Sequence, residues 1–239
     1  MKDRLDKILT DRKLVTTRSQ AKSMIQNGDV RVNGRVLLKA GELIDLVAEI
    51  EVTATQFVGR GALKLERALA EFSPDVVNKI LLDIGASTGG FTEVLLLEGA
   101  QKVYAIDVGH GQLAKKLLDD PRVVNLEKTN IRDLSGLPDL ADGGVMDLSF
   151  ISVTKVLGTV RALIKDKGFL IVLIKPQFEV GREKLPKDGV VKDRKDQVQA
   201  LEEVIASAKT HGWLHHGTID SPIEGKAGNR EFLCYFTNG

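Results

Sequence analysis

Cysteine is nearly absent: Cys234 stands alone among 239 residues, which excludes an internal disulfide and a cysteine-rich zinc site. Long apolar runs are missing too. The longest, Gly168 to Ile174, holds seven residues between Lys167 and Lys175, where a membrane helix needs about 20. The opening Met-Lys-Asp-Arg-Leu-Asp-Lys carries acids and no apolar stretch, so no secretory signal is expected. There is no internal repeat and no low-complexity tract. The four histidines (His110, His211, His215, His216) show no metal-ligand spacing, so no metal is expected. A reducing cytoplasm fits this composition.

What is present suffices for a core. Hydrophobic residues make up 43% and charged residues 28%, and the length suits one large domain, or a medium one with a small one. The net charge of +1 hides an asymmetry. Residues 1–39 hold ten Lys/Arg against four Asp, while the remainder is slightly acidic. A basic head on an acidic body points to an anionic partner for the head.

The head reads as helix, helix and hairpin over residues 1–55. Leu5, Ile8, Leu9 and Val15 predict a short amphipathic helix ending before Thr16. Thr17 and Gln20 form a capping-box pattern that opens a second helix through about Gln26, closed by Asn27-Gly28. Val30–Val32, Asn33-Gly34 and Arg35–Leu37 predict a hairpin on a type I′ turn. Ile44, Val47, Ile50 and Val52 continue as β-rich sequence. Arg4-Leu5-Asp6-Lys7, Arg18-Ser19-Gln20-Ala21 and Gly28-Asp29-Val30-Arg31-Val32-Asn33-Gly34 resemble the S-four RNA-binding domain. The resemblance implies structured RNA held through phosphates and shape, with Arg4, Lys7, Arg18, Lys22, Arg31 and Arg35 as contacts.

After a linker at 56–60, residues 61–239 alternate strand and helix. Strands are expected at 80–84, 103–107, 123–127, 145–148 and 169–174, and helices at 91–98, 112–118, 152–164 and 193–210. Trp213–Asp220 and Phe232–Thr237 read as a closing antiparallel pair. The expected class is α/β, a Rossmann-like, mostly parallel sheet with helices on both faces, behind a small α+β head. Residues 181–192 form a long polar loop, a candidate cover.

Asp83-Ile-Gly85-Ala-Ser87-Thr-Gly89-Gly-Phe91 follows a strand and opens a helix. Such a turn lets backbone approach a ligand and offers it free N–H groups. Asp107 ends the next strand, where a carboxylate can accept ribose hydroxyls. Asn130 is either an adenine-side contact or a turn-forming residue. Ser87 stands where a dinucleotide fold carries its second glycine, and Asp83 suits an amino-bearing ligand. Both features favour S-adenosylmethionine over NAD, with an NAD-linked oxidoreductase the alternative enzyme.

The acceptor narrows by what is missing. Methylating a pyrimidine C5 needs a cysteine nucleophile, and Cys234 lies inside a terminal strand pattern, which reads as core. Amine methylation commonly uses an Asn/Asp-Pro-Pro-aromatic turn; the matching strand end here is Asp147-Leu148-Ser149-Phe150. Lys64, Asp147, Lys175 and Glu231 remain, charged residues at strand or helix ends. In that order they resemble the tetrad of FtsJ-type RNA ribose 2′-O-methyltransferases.

With the head, and with the blocks Phe57–Leu65, Asp83–Phe91, Asp147–Ser152, Ile174–Glu179 and Gly228–Phe232, the chain resembles the TlyA (haemolysin A) family of rRNA cytidine 2′-O-methyltransferases. The resemblance implies S-adenosylmethionine as donor and ribosomal RNA or ribosomal subunits as partner. Lys175 is then expected as base, with Lys64 nearby to depress its pKa and Asp147 to orient it. Glu231 would hold the acceptor or balance Lys64. A non-catalytic RNA-binding or ribosome-assembly factor is the rival from another class. A pore-former, suggested only by the family's second name, lacks both a spanning helix and a porin-like strand series.

Overall fold

The computed structural model describes residues 2–15, 18–52, 57–181, 183–225 and 228–239, the side chains of 19, 20, 23, 26 and 27 excepted. The chain divides into two compact units, residues 1–60 and 61–239. The first contains β1 (Lys2–Arg4), α1 (Leu5–Asp11), α2 (Arg18–Asn27), β2 (Val30–Val32), β3 (Arg35–Val36), β4 (Leu43–Asp45) and β5 (Ile50–Val52). Leu5, Ile8 and Leu9 on α1 share a buried cluster with Ala21 and Ile25 on α2 and with Val30, Val32 and Ile44. The expected turn is present: Asn33 (φ 48) and Gly34 (φ 76) are both left-handed, as type I′ requires. The capping box at Thr17 lies outside the described residues.

Two features of this unit differ from expectation. α1 ends at Asp11, although Val15 stays buried in the same cluster. The chain turns out of the helix at Lys13 (φ 57), where Leu14 N donates to the Leu9 carbonyl and Lys13 N to the Thr10 carbonyl. The Arg12 guanidinium donates to the carbonyls of Leu46 and Ala48. Lys2–Arg4 pairs antiparallel with β4, a strand too short and too charged for periodicity to reveal.

In the second unit, α3 (Ala62–Phe72) leads into β6 (Ile80–Ile84), α4 (Gly90–Leu97), β7 (Lys102–Ile106), α5 (Lys115–Leu118) and β8 (Val123–Leu126). β9 (Ala141–Met146), α6 (Leu157–Leu163), β10 (Ile164–Ile174), α7 (Pro176–Glu179), α8 (Arg194–Thr210), β11 (Trp213–Asp220) and β12 (Phe232–Asn238) follow. Among the described residues, seven strands form one sheet in the order β11-β12-β10-β9-β6-β7-β8. β10, β9, β6, β7 and β8 run parallel, and β12 runs antiparallel between β10 and β11. The core packs Leu82, Ile84, Met146, Val172 and Phe236 with Val160, Val204 and Trp213.

The sheet is the mostly parallel one that the alternation predicts, with shifted boundaries. β9 starts at Ala141 because Gly143 and Gly144 belong to the strand despite their weak β-propensity. The ring of Phe169 on β10 occupies the space that a Cβ on Gly143 would fill. β10 starts at Ile164, and its register against β9 shifts between Ile164 and Phe169, a bulge masked by Lys165-Asp-Lys-Gly. The helix expected over 152–164 is a 3-10 turn (Val153–Lys155) followed by α6, and the one over 112–118 shrinks to Lys115–Leu118. The end of the polar loop 181–192 is held down. Asn229 Oδ1 accepts from Val191 N, Asn229 Nδ2 donates to the Gly189 carbonyl, and Gln197 Nε2 donates to the Val191 carbonyl.

Candidate active site

The glycine-rich turn leaves β6 with Asp83 fully buried. Its Oδ2 accepts from Thr92 Oγ1 at 2.6 Å, while its Oδ1 is buried with no partner. Burial pushes this carboxyl up to about 7, and the hydrogen bonds from Thr92 oppose the rise. Gly85 has φ 88, and a Cβ there would stand 2.4 Å from the Asp147 carbonyl oxygen. Any side chain would therefore separate the turn from the end of β9. Asp107 closes the other side: its Oδ2 accepts from Ser87 N at 2.8 Å and its Oδ1 from Gly109 N at 2.7 Å. Gly85, Ser87, Asp107, Asn130, Asp147 and Phe150 are among the residues lining one cavity of about 430 Å³.

The other sequence-selected residues support this turn without lining the cavity. Gly89 (φ 94) packs under Leu113 and Leu117, and Phe91 is buried on α4. Asn130 combines both readings that the sequence leaves open. It lines the cavity, and its Oδ1 accepts from Arg132 N to cap the turn Ile131–Asp133.

The four charged residues form two ion pairs. Lys175 Nζ lies 2.5 Å from Asp147 Oδ1, at an angle outside hydrogen-bond geometry, and donates to Ser149 Oγ at 2.9 Å. Lys64 Nζ donates to Glu231 Oε2 at 2.6 Å, with side chains only 9% and 3% exposed. Sheet register brings the pairs to one edge. Ile174 and Phe232 are partners across β10 and β12, so Lys175 and Glu231 flank the same rung. Met146 is level with Val172, so Asp147 leaves β9 at that edge too. Lys175 thus meets Asp147, and Lys64 meets Glu231.

A family model for FtsJ-like methyltransferases matches residues 57–238. The chain belongs to the FtsJ-like methyltransferase family. An S4 domain model matches residues 3–50. The chain is 42% identical to the 16S/23S rRNA (cytidine-2′-O)-methyltransferase TlyA of Mycobacterium tuberculosis, over 97% of this chain and 88% of that one. It is 41% identical to Hemolysin A of Brachyspira hyodysenteriae, over 98% of this chain and 99% of that one. Among solved structures, one described as a candidate hemolysin from Streptococcus thermophilus matches with TM-score 0.79 and 40% identity, covering 99% of this chain and 88% of that one. The match to the TlyA and hemolysin A branch of the FtsJ-like family therefore spans both units.

The S4 unit of this FtsJ-like chain organises its basic residues around acids. Arg4 Nε and Arg18 Nη2 reach Asp6 Oδ1 and Oδ2 at 3.0 and 2.8 Å, each guanidinium staying half-exposed. Hydrogen bonds from Arg4 first, and from Arg18, hold the Asp6 carboxyl down at about 2. Lys7 pairs with Asp3 at 2.6 Å, Arg31 donates to the Gly34 carbonyl, and Lys22 and Arg35 are exposed. In the FtsJ-like unit, Ser149, Gln112 and Glu179 make contacts at this site to which the sequence reading gave no role of their own. Ser149 could have been found from its place two residues after Asp147 at a strand end. Gln112, whose Oε1 lies 3.3 Å from Ser87 Oγ, sits in a loop whose path only the fold reveals.

Among the described residues, no cluster of His, Cys, Asp and Glu could hold a metal ion, and no helix is long and apolar enough to cross a membrane.

Proposed function

We propose that this protein transfers a methyl group from S-adenosylmethionine to a cytidine ribose 2′-hydroxyl of ribosomal RNA. The observation that carries the reading is the shared sheet edge. There the cavity lined by Asp107 and Asp147 meets the Lys175–Asp147 pair, with Glu231 of the Lys64–Glu231 pair flanking the same rung as Lys175. The names of the M. tuberculosis relative and of the FtsJ-like family support the same chemistry.

The residues present fit this donor. The cavity is of a size that takes a small cofactor. Each oxygen of Asp107 accepts one backbone N–H, and a carboxylate oxygen has a second lone pair for a ribose hydroxyl. Asp83, expected to contact the donor, is fully buried behind the turn and outside the cavity lining. When bound, S-adenosylmethionine supplies an electrophilic methyl on a sulfonium. A ribose hydroxyl is a poor nucleophile, so the chain must align it and provide a destination for its proton. Lys175 Nζ, in its neutral amine form, is that destination, becoming the ammonium that Asp147 faces, and it is held in place by Asp147 and Ser149. Glu231 fixes Lys64 at the acceptor side of the same edge.

Labelled S-adenosylmethionine with ribosomal subunits tests the reading, followed by mapping of the modified nucleotide. Label on a cytidine ribose is expected; RNA binding without transfer would favour a non-catalytic assembly factor. For the donor site, Asp107→Ala should weaken S-adenosylmethionine binding by roughly 1.5–3 kcal/mol in calorimetry, the worth of hydrogen bonds to a charged group. Undiminished affinity would remove Asp107 from the site. For the S4 unit, log affinity for RNA should fall by about 0.7–0.9 per log unit of salt for each phosphate neutralised. Substituting Arg4, Arg18 or Arg31 should flatten that slope. A salt-independent affinity would contradict phosphate contacts.

A further inference from the structure

The block Lys175 to Glu179 ends in a carboxylate that the chemistry above does not use. Glu179 closes α7, the single turn that begins immediately after Lys175. Its Oε1 accepts from Val153 N at 3.0 Å, and its Oε2 from Ser152 Oγ at 2.5 Å. Both donors belong to the start of the turn Val153–Lys155, which follows the cavity-lining segment 147–151. Burial raises the Glu179 carboxyl, and these hydrogen bonds oppose the rise. A partly buried carboxylate kept for two neutral donors is doing something that its own solvation does not reward.

We propose that Glu179 is a positioning residue for methyl transfer, clamping segment 147–153 to segment 175–179 so that Asp147 and Ser149 stay on Lys175. The inference rests on the reading of Lys175 and Asp147 given under Proposed function. The segments are joined at three levels: Asp147 and Ser149 to Lys175, Phe150 to Phe178 with ring centroids 5.3 Å apart, and Ser152 and Val153 to Glu179. The middle level cannot hold the geometry alone. Phe150 has φ 66 and is 92% exposed, a left-handed conformation that an aromatic residue rarely adopts and that neighbours must enforce. Glu179 supplies the enforcement from the far end, because its two oxygens fix the chain two and three residues beyond Phe150. Lys175 and Glu179 sit at opposite ends of one helical turn, so a shift of the Ser152 anchor becomes a shift of Asp147 and Ser149 relative to Nζ.

The test compares Glu179→Ala, Glu179→Gln and Ser152→Ala in the full chain. Single-turnover transfer to ribosomal subunits is read beside donor affinity, melting temperature and amide exchange over 148–153. Glu179→Ala should slow transfer at saturating donor and RNA by about 10- to 100-fold, the scale of an ångström-sized misplacement, with donor affinity within about threefold. Exchange should accelerate in 148–153 and not in the core strands. Glutamine keeps an acceptor for Val153 N and can donate to Ser152 Oγ, so Glu179→Gln should restore transfer and protection to near wild type. Adding Ser152→Ala to Glu179→Ala should cost nothing more.

Three results would overturn the assignment: full turnover in Glu179→Ala, equal loss in Glu179→Ala and Glu179→Gln, or a loss that follows melting temperature alone. Unchanged exchange over 148–153 would overturn it even in an inactive protein. If the wild type itself transfers no methyl, the methyl-transfer reading falls and the assignment with it, a result distinct from an active wild type with an active Glu179→Ala.

Discussion

Lys175→Met should slow methyl transfer by about 10²–10⁴-fold, the usual share of a general base, while S-adenosylmethionine still binds. Methionine keeps most of the lysine stem, so the buried position beside Ile174 and Pro176 stays filled. What disappears is the nitrogen that contacts Asp147 and Ser149. The proposed donor contacts lie on other cavity-lining loops, those carrying Gly85, Ser87 and Asp107, so affinity for the donor is expected within about threefold of wild type. Asp147→Asn should depress transfer as well, and it can also disturb the donor because Asp147 lines the cavity. A single-turnover assay with saturating donor and a folded variant separates chemistry from binding. Wild-type turnover in Lys175→Met would return the residue to the status of an ordinary strand-end charge.

Lys64→Met should cost stability more than most single substitutions. It leaves Glu231, a side chain 3% exposed, without its ammonium partner. Breaking a buried pair from one side typically costs about 3–5 kcal/mol, because the remaining charge is uncompensated. Adding Glu231→Gln should recover much of that loss, since a neutral amide needs no counter-charge. Chemical denaturation of the two variants and the double variant checks this. A loss under 1 kcal/mol in Lys64→Met would mean that water or a rearranged neighbour already solvates Glu231. Recovered stability with turnover still absent would separate the pair's structural contribution from its part in the reaction.

Much of the fold was legible because apolar runs and their flanking residues agree with the structure. Ile80–Ile84 has the bounds read from its apolar run, and Asn33-Gly34 turns as its residue types require. The Lys, Asp, Lys, Glu set was legible as charges at strand or helix ends in the order that resembles the FtsJ-type tetrad. The pairs Lys175–Asp147 and Lys64–Glu231 stood among the roles implied by the family resemblance, while the strand order that brings them together was not legible. That order also sets which carboxylate each lysine meets. Gly143 and Gly168 hid parts of β9 and β10, since close packing against Phe169 and a bulge are tertiary reasons for glycine. Ser149 and Glu179 carry no periodic signal; their importance comes from the neighbours that folding gives them.

The placement of β12 between β10 and β11 has a consequence for how the protein matures. Synthesis is vectorial, and the residues lining the cavity, 84 to 151, emerge well before Glu231. A nascent chain can therefore build β6 to β9 and the donor cavity while the sheet is unfinished. The Lys64–Glu231 contact closes a separation of 167 residues, and contacts this distant form late, when the loop they close has been ordered by others. Until β12 inserts, β10 offers an open edge to other chains. The proposed acceptor side is therefore completed with the burial of that edge, so a chain stalled before residue 231 can hold the cavity and yet lack the Lys64–Glu231 pair.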